Sequence, residues 1–445
     1  MSVETEKFEQ NFGKLASGWS VFTLSDVCLK EKGSIISGPF GSNISSKYFV
    51  DNGIPVIRGN NITQDLTRFV DDGFVFVTNE KADELNTYAE VNDLIFTAAG
   101  TIGQVGIITP NCKYPKYVIS NKQLRARVDG NIVDYFYAYY WFASSKMNKY
   151  IKLLNTGSTI PLINLSILKG LPIPVPKIHI QKKIVKIIDS FDDKIELNNR
   201  LNKVMEQMVQ VIFTQWFIDF EFPNENSEPY KSSGGEMEWC EELGKEIPKG
   251  WKNSKISDLV ESVSKTYKFI KDEIIFLNTS DILEGEILHE TYSNVANLPG
   301  QAKKSIMRND ILYSEIRPEN KRYAYVDFDS DNYVVSTKLM VLRAKSYVDP
   351  VMLYFYLTNQ ETVNYLQKVA ESRSGTFPQI TFQTFESLNF VVAPEKLMKD
   401  LAEKFKPIFE KIKSNNRQNK NLSNLRDTLL PKLMSGEIDV SELEL

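Results

Sequence analysis

The chain has 445 residues, 42% of them hydrophobic and 25% charged, which suits two or three domains with cores of their own. A net charge of −4 speaks against a uniformly basic surface, two histidines make a histidine-based metal site improbable, and three separated cysteines suit a reducing, cytoplasmic setting without a disulfide frame. No window offers the roughly 18 unbroken apolar residues of a membrane span, and the opening MSVETEKFEQNFGKLASGW is too polar for a signal peptide.

In chain order, GWSVFTLSDV (Gly18–Val27) leads into short β-branched or aromatic runs, IPVIRG, GFVFVT, DLIFTAAG and VGIIT. Each is edged by Gly, Asn or Asp and predicts a strand. VDYFYAYYWFASSKMNKYIKLL (Val133–Leu154) predicts a helix whose aromatic stripe packs a core. TIPLINLSILKGLPIPVP, from Thr159, reads as a hinge-like exit, and a long helix starts after Pro176.

The same text then returns. GWKNSKISDL (Gly250–Leu259) matches the opening, NDILY at Asn309 matches NDLIF at Asn92, and STKLMVLRA at Ser336 matches SNKQLRAR at Ser120. EIIFLNTS, DILYSEI and RYAYVDF predict strands, VDPVMLYFYLTNQETVNYLQKVA (Val348–Ala370) a helix, and TFPQITFQTFESLNFVVAP, from Thr376, a second exit into a helix after Pro394. The offset drifts from 232 to 215 and settles at 217, as loops of unequal length between matched elements require. This is a duplicated module, each copy a globular part followed by a long helix.

The first helix carries a stripe of Ile180, Ile184, Ile188, Phe191, Ile195, Asn198, Asn202, Met205, Met208, Ile212 and Trp216. Displaced by 217, the second carries Leu397, Leu401, Phe405, Ile408, Ile412, Asn415, Asn419, Leu422, Leu425, Leu429 and Leu433. Steps of three and four predict a coiled-coil seam, with the asparagines fixing register, and Pro407 should kink or restart the second helix. The expected fold class is α+β: two tandem globular mixed α/β domains separated by two long helices, paired as an antiparallel coiled coil with a pseudo-twofold. The expected segments are 1–176 and 249–394 for the globular domains, 177–222 and 395–437 for the helices, 223–248 for an acidic linker and 438–445 for an acidic tail. Nine acids against two lysines between Asp219 and Glu246, and four acids in EIDVSELEL, leave the rest of the chain near +7. That local balance admits a nucleic-acid partner; solvated acidic segments account for the same numbers.

Four segments resemble the specificity (S) subunit of type I restriction–modification enzymes. SGPFGSN (Ser37–Asn43) followed by GIPVIRGNNI (Gly53–Ile62) is similar to the opening of that family's target-recognition domains. FTQWFIDFEFP (Phe213–Pro223) and LLPKLMSGEID (Leu429–Asp439) are similar to its central and C-terminal conserved regions. The resemblance implies a non-catalytic subunit in which each globular part reads one half of a split double-stranded DNA site. Two modification subunits would methylate adenine with S-adenosylmethionine, and restriction subunits would add ATP- and Mg2+-dependent translocation and cleavage, so that this chain binds no cofactor itself. The second copy lacks GPFGS, so the two half-sites should differ.

A catalytic reading finds little support. Pro-Pro, Gly-x-Gly, Gly-Lys-Ser and Gly-Lys-Thr are all absent, and GTIGQVG (Gly100–Gly106) has turn spacing rather than phosphate-loop spacing. Neither His179 nor His289 lies near a nucleophile elbow. DNA reading needs Lys and Arg for phosphate and Arg, Asn and Gln for base edges. The candidates are Ser42, Asn43, Lys47, Arg58, Asn60, Asn61, Lys122 and Gln123 in copy one. In copy two they are Asn278, Thr279, Ser280, Arg317, Lys321, Arg322, Lys338 and Arg373. Any one of them equally suits a polar loop, and Asn60-Asn61 a turn. Trp216, Phe217 and Leu433 are candidates for partner-subunit docking, with plain packing as the alternative. A protein-binding scaffold and an independent methyltransferase or nuclease are the rival functions.

Overall fold

A computed structural model describes residues 3–345, 348–373, 376–386 and 388–444. Ser374 and Gly375 of the Ser/Gly loop expected before Phe377, and Leu445 of the expected tail, lie outside them. The chain divides into two units, Met1–Leu197 with Arg417–Leu445, and Asn198–Asn416. The division cuts both long helices, so each unit owns a globular part and a portion of each helix.

In the first unit β1 (Ser20–Thr23) pairs antiparallel with β10 (Pro172–Val175), Ser20 opposite Val175 and Thr23 opposite Pro172. The proline-bounded exit is therefore a paired strand and not a hinge. Its prolines are tolerated because a two-stranded ribbon leaves one side of each strand unpaired. Thr23 then caps the helical turn Leu24–Val27, accepting from Asp26 N, while Asp26 accepts from Thr23 N at 2.9 Å.

Two four-stranded sheets follow. One runs β2 (Ile35–Ser37), β9 (Gln123–Ala126), β6 (Leu94–Thr97), β7 (Val105–Ile107), antiparallel throughout. The other runs β4 (Val75–Val77), β3 (Ile54–Ile57), β8 (Tyr117–Ile119), β5 (Tyr88–Ala89), with β3 and β8 parallel. Side chains of β6 serve two cores: Leu94 and Phe96 enter the main one, Ile95 a smaller one with Ile57 and Ile119. The helix expected over Val133–Leu154 is two, Tyr135–Ala143 and Ser145–Leu153. Ser144 turns extended and caps the second by accepting from Met147 N, the competition that serine side chains offer a helix.

The second unit repeats this order. Strand β13 (Lys252–Lys255) pairs with β24 (Asn389–Val392). One sheet runs β14 (Val260–Ser262), β23 (Leu339–Ala344), β20 (Ile311–Ser314), β21 (Tyr323–Tyr325). The other runs β18 (Tyr292–Asn294), β15 (Glu273–Leu277), β22 (Tyr333–Ser336), β19 (Ala302–Ser305), with β15 and β22 parallel. The helix expected over Val348–Ala370 is again split, into Pro350–Thr358 and Gln360–Arg373, where Asn359 accepts from Thr362 N. A ribbon of β16 (Ile282–Leu283) and β17 (Glu286–Ile287) is added after the β15 turn. The expected linker 223–248 is folded: β11 (Met237–Cys240) and β12 (Lys245–Pro248) form a hairpin, and Cys240 and Ile247 join Phe222 and Trp251 in the core.

The central helix (Ile178–Phe213) and the C-terminal helix (Glu395–Ser435) run antiparallel within each unit. In the first, Ile184 and Ile188 pack with Leu430 and Leu433, and Asp192 meets Arg426 at 2.6 Å. In the second, Val209 and Phe213 join Leu401 and Phe405, and Asn415 donates to Asn202 at 2.8 Å. The C-terminal helix continues through Pro407 without the expected restart. Phe405 and Phe409 are buried on either side of it, and packing outweighs the backbone bond that proline removes. The seam departs from its expected stripe at one matched step: Met208 and Leu425 are 48% and 53% exposed, and Val209 and Arg426 are buried instead. A helix of 3.6 residues per turn drifts against a 3.5-residue stripe, which moves the buried face on by one residue.

Candidate nucleic-acid interface

Parallel pairing of β3 with β8 brings the ends of both strands to one edge of the first unit. The turn Gly59–Asn61 leaves β3, and the Ser120–Lys122 turn leaves β8, tied back by Ser120 N donating to Ile57 O at 3.0 Å. With the Gly100–Gln104 turn after β6 they enclose a cleft of about 500 Å³, lined among others by Arg58, Asn60, Gln104, Asn121, Lys122 and Gln123. Asn60 and Lys122 are exposed and Arg58 is half-buried. Gln123 is fully buried; its Oε1 accepts from the Ser120 hydroxyl, while its Nε2 has no partner among the described residues. An amide donor unpaired beneath a polar cleft is a place for a ligand acceptor. Ser42, Asn43 and Lys47 are exposed on the neighbouring loop but do not line the cleft.

Asn61 departs from expectation. It is fully buried; its Oδ1 accepts from Arg58 N, and its Nδ2 donates to Val70 O and Asp72 O, each at 2.9 Å. Its polar atoms are consumed in holding the turn, so it cannot read a base. Asn121, Gln104 and Thr101 line the cleft and were missed. Asn121 had a signal, standing between Ser120 and Lys122 in SNKQLRAR.

The second unit builds the same edge from other side chains. Asn278 N donates to Asp281 Oδ2 at 2.7 Å, and Asn278 Oδ1 accepts from Thr279 N, which leaves Ser280 exposed at the apex. Arg322 is a correction: its Nη1 donates to Ser280 O and Ile282 O, both at 3.0 Å, so it holds the turn. Arg317 is exposed in a left-handed conformation, φ 43°, where the first unit has Gly100. Lys321 pairs with Glu284 at 3.1 Å and Lys338 with Glu315 at 3.6 Å. Below Lys338, Lys304 Nζ donates to Thr337 O and Leu339 O, and burial lowers its pKa. Arg373 is exposed at the end of the Gln360–Arg373 helix, whose Gln367 accepts from Glu319 N.

Both edges are anchored on long-helix residues of their own unit. In the first, Arg68 pairs with Asp189 at 2.8 Å and Asp193 at 3.2 Å, donates to the Tyr140 hydroxyl and covers the Phe136 ring. Arg426 Nη2 donates to Asp65 O at 3.2 Å. Burial raises the Asp189 pKa against the opposing pull of Tyr140 and Arg68. In the second unit the polarity reverses: Lys413 on the helix donates to Gly285 O at 2.8 Å, and Asn416 to Glu286 Oε1 at 2.6 Å.

Trp216, Phe217 and Leu433 are 9%, 4% and 2% exposed, so they pack cores and offer no docking surface. Among the described residues no group of three or more His, Cys, Asp or Glu side chains suits a metal ion, and no helix is long and apolar enough to cross a membrane.

A family model for the type I restriction modification DNA specificity domain matches residues 16–207 and 248–424. The MjaIX specificity subunit of Methanocaldococcus jannaschii is 28% identical over 99% of this chain and 98% of its own length. The HindI specificity subunit of Haemophilus influenzae is 42% identical over 40% of this chain and 39% of its own length. A crystal structure of the type I restriction-modification system S subunit from M. genitalium shares the fold, with a TM-score of 0.54 at 15% identity, covering 93% of this chain and 96% of that one. Because the specificity domain is matched twice, once on each half of the duplication, this chain belongs to the type I restriction–modification specificity subunit family.

Proposed function

We propose that this chain reads a bipartite, asymmetric duplex DNA site, one half-site per unit, and directs adenine-N6 methylation or cleavage performed by partner subunits. One observation carries the reading. In both units a parallel strand pair delivers polar turns to one edge, and the side chains presented there differ: Arg58, Asn60, Lys122 and Gln123 against Ser280, Arg317 and Lys338. A shared scaffold with unlike tips suits two different half-sites. The chain itself is non-catalytic and cytoplasmic; S-adenosylmethionine, ATP and Mg2+ belong to two modification subunits and the restriction subunits. With Trp216 buried, the modification subunits dock on exposed long-helix faces, where Leu201, Val204, Met208 and Val211 stand 41–55% exposed at heptad spacing.

Methylome mapping of a host with and without this chain tests the proposal. A split adenine-methylation motif that disappears on deletion is expected. An unchanged methylome, with no sequence-selective footprint when the modification subunit is present, favours a protein scaffold.

A further inference from the structure

We infer that Phe40 is a wedge that enters the base stack of duplex DNA held by the first unit, an inference that rests on the DNA-reading role proposed above. Phe40 is 84% exposed, more than any other aromatic side chain among the described residues. An aromatic ring is normally the side chain with most to gain from burial. Here the loop holds it outward. A Cβ on Gly38 would lie 1.8 Å from Ser120 O, and one on Gly41 would lie 3.0 Å from Asn121 Nδ2. Gly38 N donates to Gln123 O and Asn43 N to Phe40 O, both at 2.9 Å. The two glycines let the loop lie against the Ser120–Gln123 turn, so the ring projects beside the cleft that this turn lines.

The surroundings suit a polyanion with an apolar interior. No carboxylate occurs from Ser34 to Val50. Ser42, Asn43 and Lys47 are exposed on the same loop, and Arg58 and Lys122 line the adjoining cleft. A protein partner would call for apolar neighbours that extend the patch, and Phe40 instead has proline, glycine, serine and asparagine beside it. Apolar side chains pressed between base pairs unstack a step and kink the duplex, and how readily a step yields depends on its sequence. The second unit lacks GPFGS, so the distortion belongs to the first half-site alone.

The test uses the full chain assembled with its modification subunits. A duplex is selected from a randomised pool by the wild-type complex, and 2-aminopurine is placed at successive positions across it. Apart from the target adenines, which the modification subunits turn out of the stack, the wild type is expected to raise fluorescence at one further step. Phe40→Ala abolishes that signal and weakens binding about tenfold to a hundredfold, while the salt dependence stays unchanged because phosphate contacts persist. Phe40→Leu retains the signal. An unchanged melting temperature of Phe40→Ala excludes misfolding, as expected for an exposed ring. A wild-type complex that selects a sequence but unstacks no step besides the target adenines, or a Phe40→Ala complex that binds like wild type, overturns the wedge alone. Failure of Phe40→Ala to retain the modification subunits overturns it in favour of protein docking. A wild-type complex that selects no sequence overturns the reading role itself.

Discussion

Asn60 stands exposed at the cleft, while the next residue, Asn61, gives its whole carboxamide to Arg58 N, Val70 O and Asp72 O. Asn61→Ala should therefore lower stability by about 2–3 kcal/mol, because buried backbone groups lose their partners, as a denaturant melt will show. Asn60→Ala should change stability by less than about 0.5 kcal/mol and instead weaken DNA binding. The sequence marks this pair but cannot divide it, since two asparagines after a strand fit a turn or a reader equally well. The division comes from the tight turn, which aims one side chain inward. Arg322 shows the same limit: its polarity is legible, but the carbonyls its side chain meets, Ser280 O and Ile282 O, lie 42 and 40 residues away. Trp216 and Phe217 fail differently. Large apolar residues suit an interface and a core alike, and only the surrounding aromatic cluster of Phe213, Trp251, Phe390 and Phe405 decides for the core.

The loop from Ile62 to Asp72 connects the Gly59–Asn61 turn to the central helix. Arg68 is its anchor, and Asp189 is the partly buried carboxylate that Arg68 compensates. Arg68→Met should cost about 2 kcal/mol near pH 7, by leaving that charge without its cation. Burial already raises the Asp189 pKa, and loss of the arginine raises the folded-state value further above the unfolded one. Between those two values the folded form takes up a proton that the unfolded form does not. The stability deficit of Arg68→Met relative to wild type should therefore shrink as pH falls from 7 toward 5, readable by thermal melts across that range. Elements of this kind were only partly legible. Strand runs and the long helices follow from period and length. The breaks at Ser144 and Asn359 do not, because both interrupt continuous helical patterns and depend on local capping. The anchor is silent in sequence, since Arg68 and Asp189 are 121 residues apart.

Across the whole molecule the duplication was readable from matched segments at a nearly constant offset, and the matched strand orders of the two units follow from it. How the chain closes was not. The first unit takes its last core residues, Leu430, Leu433, Met434 and Val440, from the far end of the sequence, against Ile184 and Ile188. Removing residues 417–445 should unbury that core. In calorimetry the transition of the first unit should fall by more than about 10 °C or vanish, since several buried aliphatic side chains are each worth about 1.5–3 kcal/mol, while Asn198–Asn416 retains a cooperative transition.

That closure has a consequence for synthesis. Nascent domains generally fold in the order in which they leave the ribosome, and here the order is inverted. The residues of the second unit are all available once Asn416 has emerged, whereas the first must wait, with Ile184 and Ile188 uncovered, for residues 417–445. A stop codon just after Asn416 would thus damage the unit translated earlier and spare the one translated later.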